Sequence, residues 1–152
     1  MERIMKYINR VYRASIIDRT EAFEDEDLFG TQLSYILQVV RNPGLSQDAL
    51  AKSLFVNKSS VTRQLNSLEK AGYVRRETDE EDRRAKKIYP TERALAIYPE
   101  IMAYLESWND ELTGDLSAEE QTQLLYWVRY LARKATSMQT QHALERQENT
   151  SC

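Results

Sequence analysis

Cysteine and histidine, on which most metal and redox sites depend, are almost missing from this sequence. Each occurs once among the 152 residues. Cys152 is the last residue of a polar tail, so neither an internal disulfide nor a thiolate metal cluster can form. His142 alone makes no metal site, and the sequence contains neither a phosphate-binding loop nor a nucleophile with a histidine base. We therefore expect no metal, no cofactor and no enzymatic activity.

Long apolar segments are missing as well. No segment approaches the roughly 18 consecutive apolar residues that a membrane-spanning helix requires. The first ten residues, MERIMKYINR, carry charges where a secretory signal peptide would have an apolar run. The sequence therefore predicts a cytoplasmic protein without a membrane partner.

Proline and glycine are scarce, with three and four residues, whereas 41% of the chain is hydrophobic and 30% is charged. This composition is typical of a folded, largely helical protein rather than a disordered one. A chain of this length fits one compact domain with its own core. We expect a mostly α fold with a small β-hairpin.

Apolar spacing predicts an amphipathic helix at each end of the chain. Residues 4–16 place apolar side chains three and four positions apart, and a second helix follows an acidic stretch and ends near Pro43. Thr91 caps a later helix. Pro99 lies inside the pattern of that helix and should either kink the helix or delay its start. The last helix begins at the S-x-x-E capping box of Ser117.

Two short helices between these ends have clear start signals. Ser46 can cap the first, and Asn57 can cap the second, which runs to Ala71 and ends at Gly72. Only about three residues separate the two helices, so they must cross steeply and pack on each other. This spacing predicts a helix-turn-helix.

The sequence then changes to a strand pattern. Residues 73–77 and 86–89 read as two strands, with the polar segment 78–85 between them. We predict a hairpin that forms the wing of a winged helix-turn-helix over residues 28–91. Dimerisation helices at 1–27 and 92–145 should flank it, and residues 146–152 should form a frayed tail.

Positive charge is concentrated in this central region. Residues 58–88 contain nine lysines and arginines and six acidic residues, although the net charge of the whole chain is −3. A local basic excess is the electrostatic feature expected of a nucleic-acid-binding surface.

The second short helix has the side chains of a DNA reader. With Val61, Leu65 and Leu68 turned inward, its outer face carries Lys58, Ser59, Ser60, Thr62, Arg63, Gln64 and Asn66. Arg63 can pair with guanine and Gln64 with adenine, while the residues near the helix start suit phosphate contacts. Such a polar face is also found on an ordinary solvated helix. The adjoining basic hairpin favours the interpretation that this helix binds DNA.

The wing adds Arg83 and Arg84 directly after Asp82. An acidic residue at this place can hold the loop and orient an arginine towards the narrow minor groove. The same pair can also serve only to stabilise a turn.

In these segments the sequence resembles the MarR (multiple antibiotic resistance regulator) family. The helix-turn-helix part of the resemblance is LSQDALAKSLFVNKSSVTRQLNSLEKAGYVRR, residues 45–76. The family's wing pattern is Asp-x-Arg, an apolar strand and a Leu-Thr pair, which Asp82, Arg84, Ile88 and Thr91 match. Pro90 replaces the usual Leu, and Ala94 stands where Gly is common.

The resemblance implies roles for individual residues. Ser59, Ser60, Thr62, Arg63 and Gln64 would lie in the major groove, and Arg84 would lie near the minor groove with Asp82 as its support. A two-fold dimer places two such helices in successive major grooves about 34 Å apart, so some part of the chain must dimerise. In the family the terminal helices form this interface.

Family members also bind small aromatic acids or other amphipathic effectors between the dimer helices and the reader. The residues that could line such a pocket here are Tyr12, Tyr35, Tyr104 and Trp108. Aromatic residues at helical spacing are also common in cores.

We therefore expect a homodimer that binds a pseudo-palindromic operator in double-stranded DNA and regulates transcription, with repression and activation both open. The alternative is a winged-helix module that contacts other proteins without reading DNA, because a fold alone does not settle function.

Overall fold

The chain is mostly helical, with one small antiparallel sheet. The computed structural model describes residues 2–150, except the side chains of 147–150. Within these residues the elements are α1 (Ile4–Ala22), a 3₁₀ turn (Glu24–Glu26), α2 (Leu33–Arg41), β1 (Leu45–Ser46), α3 (Gln47–Leu54), α4 (Lys58–Lys70), β2 (Val74–Thr78), β3 (Lys86–Pro90), α5 (Glu92–Thr113) and α6 (Ala118–Thr150). The mostly α winged-helix fold with its small hairpin is thereby confirmed.

The chain divides into two units, Met1–Tyr104 and Leu105–Cys152. The first unit contains a core whose apolar side chains come from the residues that flank the 3₁₀ turn, Phe23 and Leu28, from α2 to α5 and from the sheet. Its members of largest volume that are essentially inaccessible to solvent are Tyr73, Leu28, Leu33, Ile36, Leu50, Leu65, Leu68, Ile88 and Ile101. Because this core includes one face of both short helices, the helix-turn-helix is packed as part of a larger unit.

The sheet has three strands in the order β1-β3-β2, and both pairings are antiparallel. The two predicted strands form the hairpin, with Arg76 opposite Ile88. Strand β1 was not predicted, because it has only two residues and is defined by a distant pairing, Leu45 with Ile88. It ties the start of α3 to the base of the wing.

The caps of the two short helices form as predicted. The Ser46 hydroxyl accepts a hydrogen bond from the Ala49 N–H at 3.0 Å. The Asn57 side chain accepts one from the Ser60 N–H at 2.8 Å. Gly72 follows α4 with a φ of +81°, the left-handed conformation that glycine adopts without strain. Polar side chains thus satisfy donors that both helix starts would otherwise leave unpaired.

Gly30 allows the segment before α2 to approach α1 closely. A Cβ atom at this position would lie 2.5 Å from the Ile16 carbonyl oxygen and 3.0 Å from the Arg19 Cβ. The Gly30 N–H also donates to the Thr20 hydroxyl at 2.9 Å. These contacts hold residues 27–32 at a fixed place beside the end of α1.

The second unit contains the end of α5 and the whole of α6. The capping box of α6 forms as predicted: the Ser117 N–H donates to the Glu120 carboxylate at 2.8 Å, and the Glu120 N–H donates to the Ser117 hydroxyl at 3.3 Å. Helix α5 begins at Glu92 and continues through Pro99, so its start is not delayed. Pro99 has no N–H to donate within the helix, and the 22-residue helix continues despite the loss of that one hydrogen bond.

No side chain described in α6 is buried. The helix continues to Thr150, into the segment expected to fray, whereas Cys152 lies outside the described residues. Among those described, no helix is both long and apolar enough to span a membrane.

Candidate nucleic-acid interface

Helix α4 has one buried face and one open face. Val61, Leu65 and Leu68 are completely buried in the first unit's core. Of the predicted DNA-binding residues, Lys58, Ser59, Thr62 and Arg63 are exposed, and Ser60 and Gln64 are half-buried. The inward stripe therefore turns the predicted reading residues outward or to the edge of the open face.

The start of α4 is suited to binding an anion. The Asn57 side chain accepts hydrogen bonds from the Ser60 N–H and, at 2.8 Å, from the Ser59 hydroxyl. The N–H groups of Lys58 and Ser59, in the first turn, have no carbonyl partner within the helix. Lys58 forms an ion pair of 3.0 Å with Asp48, but both side chains are largely exposed. An exposed pair contributes at most about 1 kcal/mol, so a phosphate can compete for this lysine.

Arg63 is an exposed residue of the open face of α4. Its guanidinium makes one long contact, 3.4 Å, with the Ser60 hydroxyl. On the side of α4 that faces α3, the Thr62 hydroxyl donates to the Lys58 carbonyl and accepts from the Gln47 amide at 3.4 Å. Arg63 consequently keeps most of its donors available, and Thr62 is held by its neighbours.

Gln64 differs from the other predicted reading residues because its carbonyl oxygen is already bound. The amide of Gln32, a buried residue, donates to the Gln64 Oε1 at 3.1 Å and to the Ser67 hydroxyl at 3.0 Å. The sequence did not indicate this contact, since Gln32 lies 32 positions earlier in the chain.

Two aspartates shape the wing loop. The Asp82 carboxylate accepts a hydrogen bond from the Arg84 N–H at 3.0 Å, and the Asp79 carboxylate accepts one from the Glu81 N–H at 2.9 Å. The backbone bond from Glu81 holds the pKa of Asp79 below its usual value, and Lys87 at 3.4 Å lowers it further. Asp82 thus binds the backbone of Arg84 and leaves its guanidinium unrestrained, while Asp79 is a supporting residue that sequence reasoning missed.

The side chains of Arg83 and Arg84 extend from this loop into solvent. Neither forms an ion pair with any residue that the structure describes. Several other basic residues of the region are engaged. Arg75 pairs with Glu77 and lies over the Tyr89 ring at 4.5 Å. Arg63, Arg83 and Arg84 thus carry positive charge that no ion pair with a described residue neutralises.

Arg76 connects the wing to the end of α4. It donates to the Asn66 side chain at 2.8 Å and to the Glu69 carboxylate at 2.6 Å. The hydrogen bond from Arg76 holds the pKa of Glu69 below its usual value. Arg76 fixes the angle between hairpin and reader, a role that the charge count alone could not assign.

A cluster around Tyr73 anchors the base of the hairpin. The Tyr73 hydroxyl donates to the Glu26 carbonyl at 2.7 Å. Arg93 lies over the Tyr73 ring at 4.4 Å and donates to the Ala71 carbonyl at 2.6 Å. Burial is the main cause that raises the pKa of Tyr73 to about 12. This cluster joins the 3₁₀ turn, the end of α4 and the start of α5.

Comparison with known proteins shows which family uses this arrangement. The model described as MarR family matches residues 27–85, which include every predicted DNA-binding residue. The uncharacterized HTH-type transcriptional regulator YybA of Bacillus subtilis (strain 168) is 32% identical over 132 residues, covering 85% of this chain and 88% of that protein. The chain belongs to the MarR family of transcriptional regulators.

Solved structures agree with this assignment. The crystal structure of MarR superposes with a TM-score of 0.83 at 29% identity, covering 93% of this chain and 98% of that one. A MarR-family regulator from Listeria monocytogenes, complexed with 26mer DNA, superposes with a TM-score of 0.81 at 22% identity, covering 88% and 89%. The second match concerns the fold alone.

The aromatic residues expected to line a MarR-type effector pocket have different environments. Tyr35 is buried, and its pKa is raised mainly by that burial. Tyr12 is 57% exposed. Tyr104 donates to the Asp18 carboxylate and meets the Phe23 ring edge-on, with 5.3 Å between the ring centroids. Trp108 belongs to the second unit.

A surface cavity of about 600 Å³ in the first unit is lined by none of these four aromatic residues. Its lining residues are Thr20, Glu21, Glu24, Asp27, Leu28, Phe29, Ser67, Lys70 and Ala71. The effector pocket therefore stays a prediction.

The Tyr73 cluster gives a stability prediction for this MarR-family chain. Tyr73→Phe removes the hydrogen bond to Glu26 and should lower the free energy of unfolding at pH 7 by about 0.5–1.5 kcal/mol in urea titrations. The native pKa of about 12 exceeds the unfolded value of 10, so the parent's advantage is complete below pH 10. It should shrink as the pH rises from 10 towards 12. The exposed Tyr126→Phe serves as control, and equal loss in both variants would contradict the assignment.

Proposed function

We propose that this chain acts as a homodimer that binds a pseudo-palindromic site in double-stranded DNA and regulates transcription there. The observation that carries the proposal is the joint exposure of Arg63 on α4 and of Arg83 and Arg84 on the wing, without ion-pair partners among the described residues. The Listeria protein with the same fold was solved with DNA, which supports this use of the fold.

The residues divide by the part of the duplex that each can reach. Arg63 offers paired donors that fit the O6 and N7 acceptors of guanine in the major groove. Lys58, Ser59 and Ser60 surround the free N–H groups at the start of α4, which suit a phosphate. Arg83 and Arg84, exposed on the wing, would reach the minor groove, whose negative potential attracts arginine. Phosphate contacts would set the register, and Arg63 would select the sequence.

Affinity should be weak and strongly salt-dependent, because contacts between cationic side chains and phosphates carry it. Glu80 and Glu81 lie in the wing beside the two arginines and oppose the phosphates. Each phosphate contact releases counterions, so the logarithm of the affinity falls linearly with the logarithm of the salt concentration.

Binding to duplexes over a salt series tests the DNA assignment. Arg84→Ala should weaken binding to all duplexes and, because the proposed dimer carries the change twice, reduce the salt slope by about 2. Arg63→Ala should instead lower the preference for the selected site over random duplex by about tenfold for each half-site, since a bidentate contact discriminates by about 1–3 kcal/mol. Lys134→Ala, an exposed change on α6, is the control. Salt-independent or absent binding by the parent would favour a protein-contact module.

Asp82 gives a second test, because its charge and its position in the loop predict opposite changes in DNA affinity when it is replaced. Removing a carboxylate near phosphates should strengthen binding if charge alone matters. We expect Asp82→Ala to weaken binding about threefold to tenfold, because it loses the hydrogen bond that fixes the backbone of Arg84.

Asp82→Asn keeps the oxygen acceptor and should bind at least as tightly as the parent. Glu81→Gln, whose side chain has no such role, should also bind at least as tightly. If Asp82→Ala matches Asp82→Asn in affinity, the supporting role is wrong.

The dimer is proposed from the exposed apolar surface of the terminal helices. In α1 the side chains of Ile4, Tyr7, Ile8 and Val11 are 40% exposed or more, and in α6 Leu124, Leu125, Trp127 and Val128 are 44–51% exposed. Scattered exposed apolar residues are normal, but contiguous apolar surface marks an interaction site. A second copy supplies the matching surface in a two-fold assembly.

Sedimentation tests the dimer. The parent should sediment as a dimer, and the double variant Leu124→Glu with Val128→Glu should shift towards monomer, because it places carboxylates in the proposed interface. The control is the double variant Glu119→Gln with Gln123→Glu, which moves one carboxylate along α6 and leaves the net charge of the helix unchanged. A monomeric parent at micromolar concentration would contradict the proposal.

A small amphipathic or aromatic effector that releases the DNA is also part of the proposal. Its candidate lining residues in the first unit are Tyr12, Tyr35 and Tyr104. This part of the proposal is supported by the chain's membership of the MarR family, because the sequence resemblance to that family implies an effector pocket.

A further inference from the structure

Gln32 is an unusual residue of the first unit's core. It is 1% exposed. Among the described residues, Ser15 is the other polar residue that is buried. The Ser15 hydroxyl bonds within its own helix, to the Tyr12 carbonyl. Gln32 instead accepts from the Phe29 N–H within its own segment before α2 and also reaches a distant element, helix α4. A buried amide costs stability unless all its groups are bonded, so these contacts define one arrangement.

The orientation of the Gln32 amide is fixed by a backbone group. The Phe29 N–H donates to the Gln32 Oε1 at 3.0 Å. A backbone N–H can only donate, so the oxygen of Gln32 must face Phe29 and its NH₂ group must face α4. The opposite orientation would bring two donors together at Phe29 and leave Ser67 and Gln64 facing an oxygen.

This orientation in turn determines which end of Gln64 faces outward. The Gln32 NH₂ group needs an acceptor, and it finds the Gln64 Oε1 at 3.1 Å. With its oxygen turned inward, Gln64 directs its own NH₂ group away from Gln32. Gln64 is half-buried and follows Arg63 on the open face of α4. The edge of the reader therefore presents the donor end of the Gln64 amide, while the oxygen faces Gln32 in the core.

We propose that Gln32 is a positioning residue for base recognition, which makes Gln64 a donor-only reader. The inference rests on the proposed DNA-binding function. A freely rotating glutamine pairs with adenine by donating to N7 and accepting from N6. With its oxygen directed at Gln32, Gln64 presents only its donor end to a base and favours guanine, whose N7 and O6 both accept. Cytosine, which presents a donor, is disfavoured.

The test compares base preferences selected from a random duplex pool at pH 8.5. Gln64→Met first identifies the base pair that Gln64 reads, where the preference should disappear. At that position the parent should favour guanine over adenine and cytosine by about threefold to tenfold, the value of one net hydrogen bond.

Gln32→Glu should then reverse this preference. A carboxylate has only acceptors, so its second oxygen must accept from the Gln64 NH₂ group, and the Gln64 oxygen turns outward. Cytosine should become the favoured base at that position, by a similar factor. Gln32→Met, which keeps the size without the hydrogen bonds, should release Gln64 and bring adenine to the level of guanine.

Ser67→Ala is the matched control. It removes the second acceptor of Gln32 but leaves the bond to Gln64, so the base preference should not change. Circular dichroism and thermal unfolding establish that each variant is folded. If a Gln32 variant does not fold, side-chain amide exchange in the parent decides: the NH₂ group of Gln32 should exchange slowly and that of Gln64 rapidly.

Several results would overturn the proposal without touching the proposed function. These are an unchanged preference in folded Gln32→Glu, an adenine preference in the parent, equally slow exchange of both amides, or a Gln64→Met variant that weakens all duplexes alike. The last result would assign Gln64 to a phosphate. Failure of the parent to bind any duplex would instead contradict the proposed function itself.

Discussion

The reading surface depends on the burial of one apolar stripe of α4. Val61, Leu65 and Leu68 are completely inaccessible to solvent, and each buried side chain of this kind contributes about 1.5–3 kcal/mol. The exposed ion pair of Lys58 with Asp48 contributes at most about 1 kcal/mol. Burial therefore sets the rotation of α4 about its axis, and the polar face is what remains. Its side chains are free to change partners because they are not needed to hold the helix in place.

The wing loop depends on hydrogen bonds rather than on burial, because it has almost no apolar residues, whereas the strands of the wing bury Val74 and Ile88. Asp79 and Asp82 bind backbone N–H groups of the loop, and Arg76 bonds to the end of α4. Carboxylates near a phosphate-binding surface appear unfavourable when charges are only counted. Two of the loop's four acidic residues, however, accept hydrogen bonds from backbone N–H groups and thereby fix the backbone that carries Arg83 and Arg84. These carboxylates lower the net charge of the loop, but they also give the backbone of its arginines a defined position.

Features encoded by neighbouring residues could be predicted from the sequence, and features encoded by distant contacts could not. The caps at Ser46 and Asn57 and the left-handed Gly72 follow from residues within one turn, and all three were predicted. Strand β1 exists because Leu45 meets Ile88, which no local pattern shows. Gln32 was missed for the same reason: within its own segment it is an ordinary polar residue before an apolar helix. Its importance comes from Gln64, a residue on another helix.

Periodicity also cannot say which molecule covers an apolar face. The stripes of α2 and α4 and those of α1 and α6 have the same type of spacing, yet Ile36 and Leu65 are buried whereas Val11 and Val128 remain 44% and 51% exposed. The difference lies in whether the fold supplies a neighbour from the same chain. In the proposed dimer this difference has a function, because two linked readers bind with the combined free energy of both half-sites. A chain with a net charge of −3 can then bind DNA through a few well-placed donors, since each is used twice.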